Sequence, residues 1–496
     1  MFIDNVKLNL LGLYSSNPRV LLERREVIKY YNFYQGGTDE TSGILDEATR
    51  GQSWLTTDDL DYEPTKDIRN HTKKLLLKQA RFMFGAPPTI MMKPLKDGQT
   101  DIAEEKRKLT DYMLDQGEGF WSSTYKAFLD ATIGKRVLLV VVANPGEAIK
   151  YRYYPMDSFT VETDPFDVDS YKAVTIAYQD ANTSDKEASN QIWYRWRYEM
   201  REGMCWLIQG KYDGNAIPIE EKEESTGLDE IPAKVIVNGG LSGDLEGESD
   251  VELLLTSAFN YNRTVSDFKD ALKFRMFEQM VFTDVAPESF VNLKIAPNSM
   301  IDLKSDLTKE NSKADAKMLS SQFSFVEATK EYLTTTKSDM YELMDQPKPE
   351  DLKSVDSAKG IKYLMMELKA RCEEKWLSWE PAIKWAINFS FKCVDEFNLY
   401  PELKGKQVSQ VSTNLIISHN YPIPEDEEVQ KEISIKEVTA NVKSIKTYIR
   451  EFGDVENENE EFAEILNEMA LLMQSQQDQF DVEYKTLNQN TDPAEE

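Results

Sequence analysis

A chain of 496 residues exceeds what one hydrophobic core can serve, so about two to four substructures are expected, and 41% apolar with 11% aromatic residues places it among folded globular proteins. Its net charge of -29 opposes ordinary wrapping of nucleic acid, which depends on Lys and Arg displacing phosphate counterions. The cysteines, Cys205, Cys372 and Cys393, lack CxxC spacing and argue for a reducing compartment; no signal-peptide pattern is visible, and no apolar window approaches the roughly eighteen residues of a membrane span.

Val20, Leu21, Val27, Ile28, Tyr31 and Tyr34 recur at helical spacing and predict a helix from Pro18 to Tyr34, closed by Gly36-Gly37. A second helix is expected over Asp67 to Phe84, ended by Gly85-Ala86-Pro87-Pro88, and others over Ile102 to Leu114 and Trp121 to Ala131. The period then falls to about two, and the solid apolar run Val137 to Ala143, closed by Asn144-Pro145-Gly146, reads as the first arm of a hairpin. Short β-branched or aromatic strands follow at Tyr151 to Tyr154, Phe159 to Glu162, Ala173 to Tyr178, Gln191 to Met200, Met204 to Ile208 and Lys234 to Val237.

After the Gly-rich stretch Asn238 to Gly243, Ser249-Asp250 is a plausible helix N-cap. Val251, Leu254, Ala258, Tyr261, Val265, Phe268, Leu272 and Met276 then form one stripe along a helix of about 45 Å. Pro287 and Pro297 break the period and enclose a strand-like Phe290 to Lys294, a small insert before a second helix over Phe323 to Met344. Gln346-Pro347-Lys348-Pro349 and the residues to Lys353 read as a loop, because the prolines remove donors and restrict their neighbours. One long helix is expected from Ser357 to Phe397, kinked at Pro381, then a strand at Asn414 to Ser418. From Tyr421 onward the chain carries 20 Asp or Glu against 6 Lys or Arg, an acidic helical terminal region.

Catalytic chemistry is poorly represented. The nearest approach to a phosphate loop, Gly243 to Ser249, carries acid where a lysine belongs. Neither His71 nor His419 stands in a zinc or nucleophile motif, and His71 reads as structural within its helix. The clusters Asp164, Asp167, Asp169 and Asp58, Asp59, Asp61 have the chemistry to hold a divalent cation in a nuclease, but both lie in turn-like sequence where Asp serves backbone hydrogen bonds. Trp193, Trp196 and Trp206 have faces on which bases stack, yet their strand-rich surroundings favour sheet packing.

Taken in order, several local patterns resemble the tailed-bacteriophage portal proteins, in particular the SPP1-like group. They are Tyr30-Tyr31-Asn32-Phe33-Tyr34-Gln35-Gly36, Asn70 through Phe84-Gly85-Ala86-Pro87, Asp130-Ala131-Thr132-Ile133-Gly134-Lys135, and Tyr154-Pro155-Met156-Asp157. Ile231-Pro232, Tyr261 to Asp267, Ser357-Ala358-Lys359-Gly360-Ile361, Ser444-Ile445-Lys446-Thr447 and Glu456 to Glu461 complete the series. The resemblance implies an α+β fold: a mainly β wing over residues 1–249, antiparallel stem helices at 250–282 and 323–345, and a clip at 283–322 between them. A tunnel loop at 346–356, a long kinked wing helix and strand at 357–424 and a helical crown at 425–496 follow.

The function so implied is a homo-oligomeric ring, twelve-fold in the family, at one capsid vertex, through which double-stranded DNA is packaged and ejected. Terminase large subunit, head-tail connector and adaptor proteins, and major capsid and scaffolding proteins are the implied partners, with the virion as location and the host cytoplasm as the place of assembly. No cofactor, membrane or enzymatic activity is expected, and acidic walls would let a duplex slide without trapping it. In the tunnel loop, Lys348 and Lys353 are candidates to touch the DNA backbone and Leu352 a bulky contact, with Glu350 and Asp351 between them; alternatively the loop seals neighbouring subunits. In the clip, Phe290, Leu293, Lys294 and Ile295 are the candidate partner-binding residues. The departure is a proline-rich tunnel loop, which implies stiffness. Two other readings stand beside this one: a metal-dependent nuclease or packaging enzyme built on the Asp164 cluster, and a coiled-coil scaffold, whose heptads Pro297, Pro347 and Pro381 interrupt.

Overall fold

The computed structural model describes residues 5–13, 17–36, 65–96, 98–116, 119–184, 186–187, 190–241, 244–276, 279–286, 304–305, 308, 313–319, 325–355, 357–423, 427–453 and 460–474. The chain divides into two compact units, Met1–Leu352 with Met365–Pro422, and Lys353–Leu364 with Ile423–Glu496.

In the first unit, helices α1 (Asn5–Leu10), α2 (Pro18–Gln35) and α3 (His71–Phe84) precede strand β1 (Thr89–Pro94), and α4 (Thr100–Leu114) and α5 (Phe120–Gly134) precede β2 (Arg136–Val142). Proline at N1 of α2 loses nothing, because that N–H has no helical partner, and Gly36 ends the helix at φ 103, a conformation cheap only for glycine. The expected hairpin is present: β2 pairs antiparallel with β3 (Lys150–Pro155) on one side and with β9 (Ala233–Val237) on the other. Between them β4 (Phe159–Asp164), β5 (Asp167–Gln179), β6 (Ile192–Arg201), β7 (Met204–Asp213) and β8 (Pro218–Ser225) form an antiparallel meander in sequence order. Sequence periodicity misses β8, because every one of its residues is exposed and no apolar face alternates with a polar one. It also misses β1, which pairs with β12 (Thr413–Ser418) from the far end of the chain.

The next helix, α6 (Asp250–Met276), begins where expected, with the Ser249 hydroxyl accepting the Val251 N–H at 3.2 Å. The turn before it depends on Gly247, at φ 75, where an added Cβ would meet the Lys135 carbonyl at 2.7 Å. The helix ends at Met276 rather than at 282, and Gln279–Thr283 is instead a strand, β10, paired with β11 (Asp315–Leu319). Ladder hydrogen bonds to a partner 40 residues away in its first pair, Gln279 with Leu319, outweigh continued helix. The predicted strand Phe290 to Lys294 lies outside the described residues, as do Asp58, Asp59 and Asp61. After β11 the chain returns through α7 (Val326–Glu342), so α6 and α7 run in opposite directions from a shared strand pair.

Two further expectations are corrected. The segment read as loop from Gln346 to Lys353 contains the short helix α8 (Pro349–Lys353), because Pro349 stands at its first position where a missing N–H costs nothing. The single helix expected from Ser357 is two, α9 (Ala358–Leu364) and α10 (Met366–Phe397), interrupted at Met365; Pro381 is accommodated inside α10. α11 (Gly405–Ser409) then leads to β12.

The second helix starts at His71, not Asp67, and the reason is physical. Alternate N–H groups of the extended segment 65–70 donate to side chains spaced four apart on α6: Thr65 to Asp270 Oδ2 at 2.8 Å, Asp67 to Ser266 Oγ at 2.9 Å, and Arg69 to Asn262 Oδ1 at 3.0 Å. Two extended residues advance about 6.6 Å and four helical residues about 6 Å, so the two periods match. Buried Asn262, Ser266 and Asp270 thus replace the carbonyls that a helix would have supplied.

One apolar cluster joins α2, α3, α5, α6 and α7, with Tyr30, Phe33, Leu75, Leu76 and Ile133 packed against Val251, Leu254, Tyr261, Met340 and Met344. Another centres on Phe84, whose ring lies 5.4 Å from Trp379 and 5.5 Å from Phe128. All three cysteines are free and buried, as expected of packing residues. In the second unit, α12 (Glu427–Thr439) and α13 (Ile445–Phe452) are held by Lys443, which donates to Ser434 at 2.8 Å and pairs with Glu451; a further helix covers 460–474. Among the described residues, no helix is long and apolar enough to cross a membrane.

Candidate functional site

The stripe on α6 is buried only along its first half. Val251, Leu254, Ala258, Tyr261 and Val265 are inside, whereas Leu272 is 40% exposed. α7 mirrors this: Thr336, Met340 and Tyr341 near its end are buried, and Phe325 and Tyr332 near its start are 41% and 46% exposed. The pair is therefore rooted in the core at one end and leaves apolar side chains uncovered toward β10 and β11.

At the rooted end the chain turns sharply. Asp345 adopts φ 53, the left-handed conformation that closes a helix, and the Gln346 N–H donates to the Tyr341 carbonyl at 2.9 Å. The buried Gln346 amide donates to the Leu75 carbonyl at 2.8 Å, and Lys78 donates to the Pro347 carbonyl at 3.1 Å, so α3 clamps the entry of the loop on both sides. Beyond the clamp, Lys348 donates to Glu342 at 2.7 Å, which raises the lysine pKa, and Lys337 pairs with Glu350 at 3.7 Å.

The predicted tunnel-loop residues Lys348, Glu350, Asp351, Leu352 and Lys353 thus come together on and just before α8. Lys348 is engaged by Glu342, while Lys353 is exposed. The clip candidates Phe290, Leu293, Lys294 and Ile295 lie outside the described residues. Asp164 and Asp167 face each other across the β4–β5 turn; Asp164 accepts the Phe166 N–H at 2.8 Å and pairs with Lys172 at 3.3 Å, the turn role that Asp favours. Asp169 lies further along β5. Trp193 is buried in β6, Trp196 is in the same strand and Trp206 in β7.

Sequence reasoning missed a buried charge cluster directly behind the loop. Asp250 accepts from Lys375 at 2.9 Å and Gln79 at 3.0 Å and pairs with Arg371 at 3.3 Å. Burial alone would raise the Asp250 pKa, but the charges of Lys375 and Arg371 outweigh it and hold the carboxylate below its ordinary range. Lys375 also reaches Asn238 at 2.7 Å, and Arg371 extends to Asp345 at 3.0 Å. α10 therefore grips the start of α6 and the end of α7 through two adjacent cations. The available signal was Lys375 itself, one residue before Trp376 on a helix face that is otherwise apolar.

His71 opens α3 with its ring edge-on to Tyr261 at 4.9 Å between centroids. Burial, and then the nearby charges of Lys337, Lys74 and Arg69, push its pKa down to about 4. His419, in the coil after β12, stacks on Tyr421 at 4.1 Å, and burial lowers its pKa as well.

No curated protein matches the chain. Among solved structures it is similar to one described as the neck of a native GTA particle computed with C12 symmetry, at 11% identity over 77% of this chain and 89% of that one, with a TM-score of 0.38. The family described as phage portal protein, SPP1 Gp6-like, matches residues 18–472, a span that includes the rooted helix pair, the clamped proline turn and the charge cluster behind it. The chain belongs to that family of phage portal proteins.

Proposed function

We propose that this portal protein assembles into a closed homo-oligomeric ring of twelve copies at one capsid vertex, through which double-stranded DNA enters during packaging and leaves on ejection. The observation that carries the reading is the helix pair α6 and α7, anchored at one end and uncovered at the other, within a chain that matches the portal family almost throughout. Neighbouring copies of the pair would cover Leu272, Phe325 and Tyr332.

In this reading α6 and α7 are the stem and β10 and β11 belong to the clip, where terminase large subunit docks during packaging and head-tail connectors bind afterwards. Major capsid and scaffolding proteins surround the ring, which is assembled in the host cytoplasm and retained in the virion. The segment from Gln346 to Val355 is the tunnel loop. Its Lys348 and Lys353 offset Glu350 and Asp351, so it presents no net charge to a passing duplex, and a phosphate contact by Lys348 would require exchange of Glu342. A loop neutral overall on an acidic ring guides DNA without holding it in a deep well.

The chain acts without catalysis. Purified protein incubated with magnesium and supercoiled plasmid should leave the DNA intact while native mass determination gives a single high-order species; cleavage by the pure protein, abolished by Asp164→Ala, would overturn the passive role.

A further inference from the structure

α3 differs from the rest of this acidic chain. It carries Lys73, Lys74, Lys78 and Arg81 and no carboxylate, against a net charge of -29 for the whole. Gln79 points inward to Asp250, and Lys78 is taken by the Pro347 carbonyl. At about 100° per residue, Lys73, Lys74 and Arg81 sit roughly 120 to 220° around the helix from Gln79, and all three are exposed. Lys73 lies over the Tyr34 ring at 5.4 Å; Lys74, Arg81 and the neighbouring Arg69 have no carboxylate partner among the described residues.

On the far side of Asp250 is a groove of about 680 Å³ between the start of α6 and α10. Its two basic side chains, Arg371 and Lys375, are both engaged by Asp250. Its outer lining is Glu248, Glu252 and Glu374, together with Leu253 and Leu377, which are 47% and 72% exposed. The groove is thus acidic at its rim and apolar on its exposed shoulders, and α3 lies between it and the basic face.

We infer that the basic face of α3 docks into the acidic groove of a second copy of this chain. The proposal rests on the ring reading above and assigns its subunit contact. A closed ring of identical subunits requires a head-to-tail interface, two different surfaces that fit one another and point in different directions. The basic face and the groove meet that requirement: they have opposite charge, lie on opposite sides of α3, and combine ionic rims with uncovered leucines. A DNA backbone would also be attracted to the basic face, but it would leave the acidic groove and its leucines unfilled.

Charge reversal separates the alternatives. Chains with Lys74→Glu and Arg81→Glu, or with Glu248→Lys and Glu374→Lys, should lose the ring species on native mass spectrometry while keeping the helical content of the parent. An equimolar mixture of the two should regain rings, because each altered face then meets its complement, and one chain carrying all four changes should also assemble. A second measurement does not depend on reversal: Lys74→Cys on one chain and Glu374→Cys on another should cross-link on oxidation, since the native cysteines are buried. Rings that survive either reversal, or mixtures that stay dissociated without the cross-link, overturn the assigned contact while leaving the ring itself in place. A parent chain that never forms rings overturns both.

Discussion

Asp250 is a carboxylate taken out of water and held by two cations, an arrangement that stabilises only while its partners are present. Lys375→Met should therefore cost about 3 kcal/mol, read as a lower urea midpoint, and Asp250→Asn added to it should cost less than the two single changes summed. A Lys375→Met chain with the parent's midpoint would show that Arg371 and Gln79 suffice. His71 gives a second prediction, in pH. Its folded pKa of about 4 lies below the unfolded value of about 6.5, so the unfolded chain takes up the proton first and stability falls as pH drops between those values. His71→Asn should flatten the dependence of the melting temperature on pH in that window, leaving the smaller share of His419; an unchanged slope would place His71 in a more exposed setting. At this scale the sequence was partly legible. Lys375 beside Trp376 signals a buried ion pair, but Asp250 is 125 residues away and Asn238 is 137, and no local pattern names such partners.

Elements set by their own periodicity were readable, and those set by distant partners were not. α2, α6 and the β2–β3 hairpin carry their signals within a few residues: an apolar stripe, a capping serine, an Asn-Pro-Gly turn. β1 exists because β12 pairs with it, and the extended run 65–70 exists because Asn262, Ser266 and Asp270 accept its N–H groups. α8 is hard to see in the sequence because Pro347 and Pro349 look like helix breakers, although Pro349, at the first helical position, is no obstacle. The matched ladder between 65–70 and α6 is testable. Asn262→Ala leaves the Arg69 N–H without its acceptor and should cost about 1 to 3 kcal/mol, with faster hydrogen exchange at Arg69 and Asp67 than at Leu75 in α3. Equal protection at all three would mean that the ladder does not hold the segment.

The molecule as a whole was recognisable from the order of its pieces, helix pair with insert, proline turn, long helix and acidic tail, and the family match over residues 18–472 bears that out. Its charge poses the main obstacle to assembly. Copies at -29 repel one another through the solvent, and that long-range term weakens once the screening length falls to roughly 8 to 10 Å near 0.15 M salt. Close contacts between α3 and the groove are screened less at that point and substantially only near 1 M, where the length is about 3 Å. Assembly should therefore rise from low to moderate salt and decline again at high salt. The most direct test of the ring is negative-stain electron microscopy of the purified chain across that salt series, with native mass determined on the same samples. Closed rings with a central opening wide enough for duplex DNA are expected at moderate salt; monomers or dimers at every salt concentration would contradict the ring.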